Sequence, residues 1–478
     1  MKMEVIAIID VGKTNKKLFL FDRHYRIVWE RTEQFSEIVD DDGDPCEDLQ
    51  LLSQWMLSAV GEVLALPQFD VQAINFSGYG ASLVYLDSEG NPVGHLYNYL
   101  KPFPKLIRQQ FYDRYGPVDA LAVETASPAL DSLNSGLMLY RIKYDKPQLF
   151  GHIRYALHLP QYLSYLITRQ PLSDITSVGC HTMLWDFTKN QYHDWVVSED
   201  LDTRMGDLFA ADKVINVRMD DGRELKAGVG LHDSSAALIP YLASFQDSPF
   251  VLISTGTWCI SLNPFNREHG PTLRLTAEEL QYDCLCYLTY KGEPVKASRL
   301  FAGYEHEQQT KRLAEHFGVA IDRYKQVRYD ADLIQKLQQT TPDARLTEEI
   351  IPPVVMLSLA ESAFTQRDLA DFDDYDIAYH QLMLDLMAGQ LISTALVLPG
   401  DGPTADESGG PNAVTRIFVD GGFSQNPIYI NLLATAFPDI DVWAASVAQA
   451  TALGAALAIH DEWNPLPVPS NLITLTKY

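Results

Sequence analysis

The chain has 478 residues, 46% of them hydrophobic and 21% charged, with 37 Lys plus Arg against 63 Asp plus Glu and a formal charge of -26. This length calls for about two to three domains with a sizeable core, and the apolar content excludes disorder as the main state. So acidic a surface repels phosphate backbones and anionic lipid, which excludes nucleic acid and membrane surfaces as partners.

The opening MKMEVIAIIDVGKT reaches Asp10 and Gly12 without an apolar run followed by a cleavage site, so a cytoplasmic protein is expected. No stretch approaches the ~18 uninterrupted apolar residues of a membrane helix. The irregularly spaced Cys46, Cys180, Cys259, Cys284 and Cys286 fit reduced thiols. Cys284-x-Cys286 lies in the apolar run YDCLCYLTY without a second ligand pair and is assigned to core packing.

In chain order, EVIAIIDVGKTNKKLFLFDRHYRIVWERTE reads as a β-meander and VQAINFSGYG as a strand ending at glycines. SLVYLDSEGNPVGHLYNYL is a hairpin around Ser88 to Asn91, and LNSGLMLYRIKYDKPQLFGHI and LPQYLSYLITRQ are helical. Near residue 225 the pattern restarts with AGVGLHDSSAALIPYLAS and the strand-turn-strand PFVLISTGTWCISLNPF. Both halves thus carry a hairpin whose Gly-centred turn contains Thr, which predicts a duplicated unit divided as 1–225 and 226–478. Then come a helix with Tyr375, Ala378, Tyr379, Leu382 and Leu386 on a core face, and a Gly/Pro/acidic loop, Pro399 to Pro411, expected to be mobile. The strand TRIFVDGGFS and the Ala-rich helix VAQATALGAALAIH follow.

Gly12-Lys13-Thr14 is not the tail of a P-loop, because the loop's first Gly falls on Ala7 within a strand and KKLFLFD continues as a strand where a helix is required. Two readings remain: an ordinary polar hairpin, or a turn whose N–H groups and hydroxyls face phosphate while Asp10 holds hydrated Mg²⁺. The recurrence at Ser254, Thr255, Gly256 and Thr257 favours the second, with two turns clamping one nucleotide. A third signal is Asp420-Gly421-Gly422-Phe423-Ser424-Gln425-Asn426-Pro427, where paired glycines permit close approach of a ligand or backbone and Ser424 is placed to cap the next helix. Asp233, in Gly230-Leu231-His232-Asp233-Ser234, is either an N-cap or a general base toward a hydroxyl attacking phosphorus.

With these segments in order, the sequence resembles the FGGY family of carbohydrate kinases, in the actin/hexokinase/Hsp70 superfamily. DVGKTNKK resembles the family's first phosphate motif through Asp10, Gly12, Thr14, Asn15 and Lys17. GLHDSSAA resembles the segment bearing the catalytic aspartate, STGTW the second phosphate motif, and VDGGFSQNP with ATALGAAL the adenosine region. The resemblance implies an α/β fold of two ribonuclease-H-like, actin-like ATPase domains flanking a catalytic cleft, sugar mainly on the first and ATP mainly on the second. It implies ATP and Mg²⁺ as cofactors, Asp233 as base, Asp10 at the metal, and Gly421, Gly422, Ser424 and Asn426 at the nucleotide. The partners expected are a sugar and ATP, with a homodimer as the candidate assembly.

Departures from the family pattern bear on the sugar. Lys13 adds a cation beside the phosphates, whereas Lys16 is assigned to surface charge. Ser77-Gly78-Tyr79-Gly80-Ala81-Ser82 replaces the usual Gly-Gln-His or Gly-Gln-Met contact segment, and Tyr97-Asn98-Tyr99-Leu100-Lys101 replaces Trp-Asn-Asp-x-Arg, losing a sugar-binding Asp. His232-Asp233-Ser234 and Gly256-Thr257-Trp258 resemble the rhamnulose kinase branch, so a deoxyketose or related ketose is expected, with Gly78, Tyr79, Gly80, Tyr99, His232 and Trp258 at the sugar. His181 and Trp185 are assigned to packing, and Asp40-Asp41-Asp42-Gly43-Asp44 to a solvated turn, since Ile38 and Leu49 stand where a calcium loop needs acids. Two other classes stay open: an actin-like or chaperone-type ATPase, and a silent sugar-binding regulator of the same fold.

Overall fold

The computed structural model describes residues 2–219, 222–245, 248–266, 275–340, 362–398, 414–447 and 449–478. The loop Pro399 to Pro411 lies outside them.

The first sheet contains β1 (Met3–Val11), β2 (Lys16–Asp22), β3 (Ile27–Glu33), β4 (Phe69–Gly78), β5 (Ile215–Arg218), β6 (Glu224–Ala227) and β7 (Leu231–His232). Its order is β5-β6-β4-β1-β2-β3, with β7 also on β4. The second holds β8 (Phe250–Thr255), β9 (Cys259–Asn263), β10 (Cys284–Leu288), β11 (Pro294–Leu300), β12 (Arg416–Gly421), β13 (Asp441–Ser446) and β14 (Thr474–Lys477), in the order β10-β11-β9-β8-β12-β13-β14.

The two sheets repeat one plan. β1, β2 and β3 form an antiparallel meander, and β4 then β6 continue parallel to β1. Likewise β8, β9 and β11 are antiparallel, and β12 then β13 continue parallel to β8. Each sheet closes on an antiparallel strand, β5 or β14. The repetition signalled by the two Gly-Thr turns is therefore topological, giving two mixed α/β units of the actin-like ATPase kind. The first sheet draws on residues up to His232, beyond the 225/226 division read from the sequence.

β1 reads as a continuous apolar run because both its faces are covered. Val5, Ala7 and Ile9 pack with α1 (Leu49–Ala65) and α2 (Leu159–Thr168). α1 starts at Asp48, which accepts the Leu51 N–H, and buries Leu52, Trp55, Met56, Ala59, Val60 and Val63 at helical spacing. On the other face, Ile6 and Ile8 share a core with α3 (Asp233–Ser244), α7 (Ala450–Ala458), and Phe250 and Leu252 of β8. α3 and α7 thus tie the two sheets together. Their approach needs glycine: a Cβ on Gly454 would lie 1.8 Å from the Ala236 carbonyl oxygen. Asn75 Nδ2 donates to the Ala455 oxygen at 2.8 Å across the same seam.

Around the second sheet stand α4 (Ala302–Phe317), α5 (Tyr375–Ala395) and α6 (Pro427–Ala436). The expected α5 face, Tyr375 to Leu386, is buried as read. No helix among the described residues is long and apolar enough to cross a membrane, and all five cysteines are buried and form no disulfide.

Two assignments change. Lys16 is not surface charge: its side chain is 1% exposed and its ammonium lies 2.7 Å from Glu47. The Asp40 to Asp44 run is not a freely solvated turn. Asp40, Asp42 and Asp44 converge on the buried Lys101 ammonium at 2.5, 2.7 and 3.5 Å, and Arg141 and Lys146 join at Asp42. Their partners lie tens of residues away, so local sequence carries no sign of them.

Candidate functional site

Both Gly-centred turns stand at ends of adjacent strands. The first is closed by the Gly12 N–H donating to the Asn15 oxygen at 2.9 Å, the second by the Gly256 N–H donating to the Trp258 oxygen at 2.8 Å. Parallel pairing sets Asp10 beside Ser77 and Val11 beside Gly78, just as Thr255 stands beside Gly421.

Two cavities adjoin the second turn. A cavity of about 280 Å³ is lined by Lys13, Tyr79, Tyr99, His232, Asp233 and Trp258, with Gly80 and Thr451. A larger one, about 760 Å³, is lined by Gly422, Asn426, His306, Lys311, Tyr324 and Lys325. Thr255 and Gly256 belong to both, so the second turn is where the two meet.

Asp233 opens α3 rather than capping it; His232 holds the cap position. Its carboxylate accepts the Ser234 N–H at 2.6 Å, and His232 Nε2 lies 3.3 Å from Oδ1. Burial pushes the Asp233 carboxyl up to about 6, the hydrogen bonds from Ser234 opposing it. Burial and the nearby Arg299 charge push His232 down to about 4, which keeps it neutral at pH 7. The ring is held from behind, since a Cβ on Gly80 would lie 2.7 Å from its Cδ2. That contact gives Gly80 a role in the pocket wall.

Asp10, the penultimate residue of β1, is half-buried, and Thr451, in the first turn of α7, donates its hydroxyl to Oδ2 at 2.8 Å. Burial, then the Asp233 charge, pushes the Asp10 carboxyl up to about 6, with Thr451, Lys17 and Ser77 acting the other way. Oxygen donors and two facing carboxylates whose repulsion a divalent ion would relieve suit Mg²⁺, a hard cation.

The other residues singled out by sequence divide. Lys13 pairs with Glu37 at 2.8 Å, and its ammonium lies 5.9 Å from the Tyr79 ring centroid and 6.0 Å from that of Tyr99. Lys17 donates to Gln449 Oε1 at 2.9 Å; Asn15 accepts from Gln34, and Thr14 is exposed. The Thr255 hydroxyl does not face open space: it donates to the Asp420 oxygen and accepts the Phe423 N–H. Gly256 and Thr257 are the exposed members of that turn, with Ser254 half-buried. Ser424 is not a helix cap, because its hydroxyl donates back to the Gly421 oxygen while Asn426 caps α6 through Ile428 and Tyr429. Gly421 adopts φ +85°, and a Cβ there would lie 1.9 Å from the Thr255 oxygen.

Sequence reasoning missed Thr451, Tyr287, Arg299 and Gly303, and left His181 to packing; His181 lines the smaller cavity, whereas Trp185 is core. It also missed the wall of the larger cavity on α4. There the only local signal is the amphipathic spacing that turns Glu305, His306, Gln309 and Thr310 inward.

A family model described as the FGGY family of carbohydrate kinases, N-terminal domain, matches residues 5–205. Another, the carbohydrate kinase FGGY C-terminal domain, matches residues 247–346. The chain belongs to the FGGY family of carbohydrate kinases and is a sugar phosphotransferase. Among solved structures it is similar to a carbohydrate kinase from Novosphingobium aromaticivorans, 21% identical with a TM-score of 0.76, covering 100% of this chain and 94% of that one. A xylulose kinase from Lactobacillus acidophilus is 13% identical with a TM-score of 0.75, covering 99% and 93%. A gluconate kinase from the same organism is 15% identical with a TM-score of 0.75, covering 100% and 93%. These likenesses are of fold. No curated protein matches the chain in sequence.

Proposed function

We propose that this kinase transfers the γ-phosphate of ATP to a hydroxyl of a ketose, first a deoxyketose such as rhamnulose or fuculose, with Asp233 as general base. The observation that carries the reading is the meeting of the two cavities at Gly256, with Asp233 in the smaller one. The larger cavity has room for a nucleoside, the smaller for a monosaccharide, and a phosphate spanning them lies against the Gly256-Thr257 turn.

The chemistry follows from the placement of the residues. Asp233 accepts the proton of the attacking hydroxyl, and with its carboxyl near 6 it is ionised at pH 7 yet basic enough to take that proton. Backbone N–H groups of the Gly12 and Gly256 turns and the Lys13 and Lys17 ammoniums position the phosphates. Bound Mg²⁺, with Asp10 as its protein ligand, supplies charge neutralisation of the transferring group. Trp258, Ala81 and Ala237 give the sugar cavity an apolar side that suits a methyl group. The five buried cysteines, which form no disulfide, support a cytoplasmic setting, and we divide the chain into an N-terminal unit, 1–225, and a C-terminal unit, 226–478, with β7 reaching back to the first sheet.

The test is ADP release in the presence of L-rhamnulose, L-fuculose, D-xylulose, D-ribulose, glycerol and D-gluconate. The highest kcat/KM on a 6-deoxyketose supports the proposal. Preference for gluconate or glycerol defeats the ketose assignment, and sugar-independent turnover alone points to an actin-like ATPase.

A further inference from the structure

Arg299, on β11 of the second sheet, lines the smaller cavity although its side chain is only 4% exposed. Its guanidinium is fixed on two sides. Asp283 accepts from Nη2 at 2.8 Å and from Nε at 3.1 Å, leaving Nη1 outside that fork. The Trp258 ring lies 5.0 Å from the guanidinium carbon. Asp283 itself sits at φ 59°, a left-handed conformation unusual for a residue with a side chain, and its carbonyl accepts the Arg299 N–H at 3.3 Å. A buried cation held this firmly at a cavity wall is organised for recognition.

The same short run of chain reaches the nucleotide side. Phe301 packs against Trp258 with the rings tilted by 41° and centroids 4.4 Å apart; a Cβ on Gly303 would lie 1.7 Å from the Gly256 oxygen; and the Tyr304 N–H donates to the Thr257 oxygen at 3.0 Å. Gly303 also lines the larger cavity. Residues 299–304 therefore touch both cavities and support the turn between them.

We infer that Arg299 is a specificity-determining residue for the sugar, supplied by the nucleotide-side sheet: its guanidinium donates to a sugar oxygen, so that a bound sugar is gripped by both sheets at once. The inference rests on the reading of this cavity as the sugar subsite. A sugar held by Tyr79, Tyr99 and His232 on one side and by Arg299 and Trp258 on the other draws the sheets together, and through residues 299–304 its occupancy is transmitted to the Gly256 turn.

The test uses the ketose of the panel with the highest kcat/KM, and ADP as the nucleotide probe. Arg299→Met should raise the KM for that ketose roughly ten- to hundredfold, the effect of losing a hydrogen bond to a charged group. The KM for ATP and the rise in Tm produced by ADP should stay within about twofold, since Arg299 does not line the nucleotide cavity. Arg299→Lys keeps the charge but not the fork and should recover part of the loss. Because Arg299→Met strands the Asp283 carboxylate, the double variant R299M/D283N repeats the measurement without an unpaired charge. An unchanged ketose KM in both, or a rise confined to ATP, overturns the inference. Tyr99→Ala separates this from the cavity assignment: if it alone raises the ketose KM, only the Arg299 inference falls, and if no variant does, the sugar subsite lies elsewhere and both fall.

Discussion

Thr451 donates its hydroxyl to Asp10 at 2.8 Å, joining the first turn of α7 to the last turn-facing residue of β1 across 441 positions of sequence. The contact favours the ionised carboxyl, against burial and the Asp233 charge that push it up to about 6. Thr451→Val removes that support without changing side-chain size. The Mg²⁺ concentration for half-maximal activity should rise roughly tenfold, the lower end for a charged hydrogen bond at a half-buried site. It is measured by titrating Mg²⁺ at saturating ATP and sugar. An unchanged Mg²⁺ response in Thr451→Val and Asp10→Ala would remove Asp10 from the metal.

As the proposed base, Asp233 would set a pH limit. Its folded-state carboxyl is raised to about 6 by burial, so the active, ionised form is lost as pH falls through about 6, not through the ordinary carboxylate range. The kcat/KM for sugar should fall about tenfold per pH unit below that point and level off above it. At saturating Mg²⁺, which keeps Asp10 ionised, Asp233→Asn should lower turnover by ~10²–10⁴ and abolish this acidic limb, with ADP still raising Tm. An acidic limb that survives in Asp233→Asn assigns the titration to another group.

Gly303 has no room for a side chain, and its neighbour in space is the Gly256 carbonyl of the turn proposed to hold phosphate. Gly303→Ala should therefore displace that turn. A misplacement near 1 Å costs roughly 10²-fold in rate, so kcat should fall strongly while the sugar's KM moves little. Single-turnover kinetics would show the slowing in the chemical step; wild-type kcat would mean that the turn accommodates the methyl.

Much of this was legible in the sequence, for a physical reason. Strand-ending turns at Gly12, Gly256 and Gly421 announce themselves because only particular residues make tight turns after apolar runs, and the Gly256 turn lies where the two cavities meet. Thr451 and Arg299 were not legible: their places at the cavity depend on which distant strand or helix ends beside them, and neither has a local pattern that says so. His181 was left to packing because a histidine among apolar residues looks the same whether it faces a core or a cavity. Lys16 was misread despite an available signal. Alternation along β2 places it on the face of Leu18 and Leu20, both buried, so an inward lysine with a carboxylate partner was the consistent reading.

The Lys16–Glu47 pair is the structural anchor of the first turn, and its removal is the last prediction. Lys16 donates to the Gly12 oxygen at 3.3 Å and the Lys13 oxygen at 3.0 Å, while Glu47 accepts from Tyr79 at 3.3 Å in the wall of the smaller cavity. With side chains 1% and 5% exposed, neither charge finds solvent if the other is lost. Glu47→Gln should destabilise the fold by about 3–5 kcal/mol, the cost of an uncompensated buried charge. The double variant K16M/E47Q should recover most of that stability, because it leaves no buried charge without a partner. It should still show a raised KM for sugar, since Tyr79 loses its carboxylate partner and Gly12 loses the ammonium that fixes its carbonyl. Urea unfolding of the two single variants and the double variant measures the first effect and steady-state kinetics the second. A double variant no more stable than Glu47→Gln would show that the ammonium is satisfied by the Gly12 and Lys13 carbonyls alone.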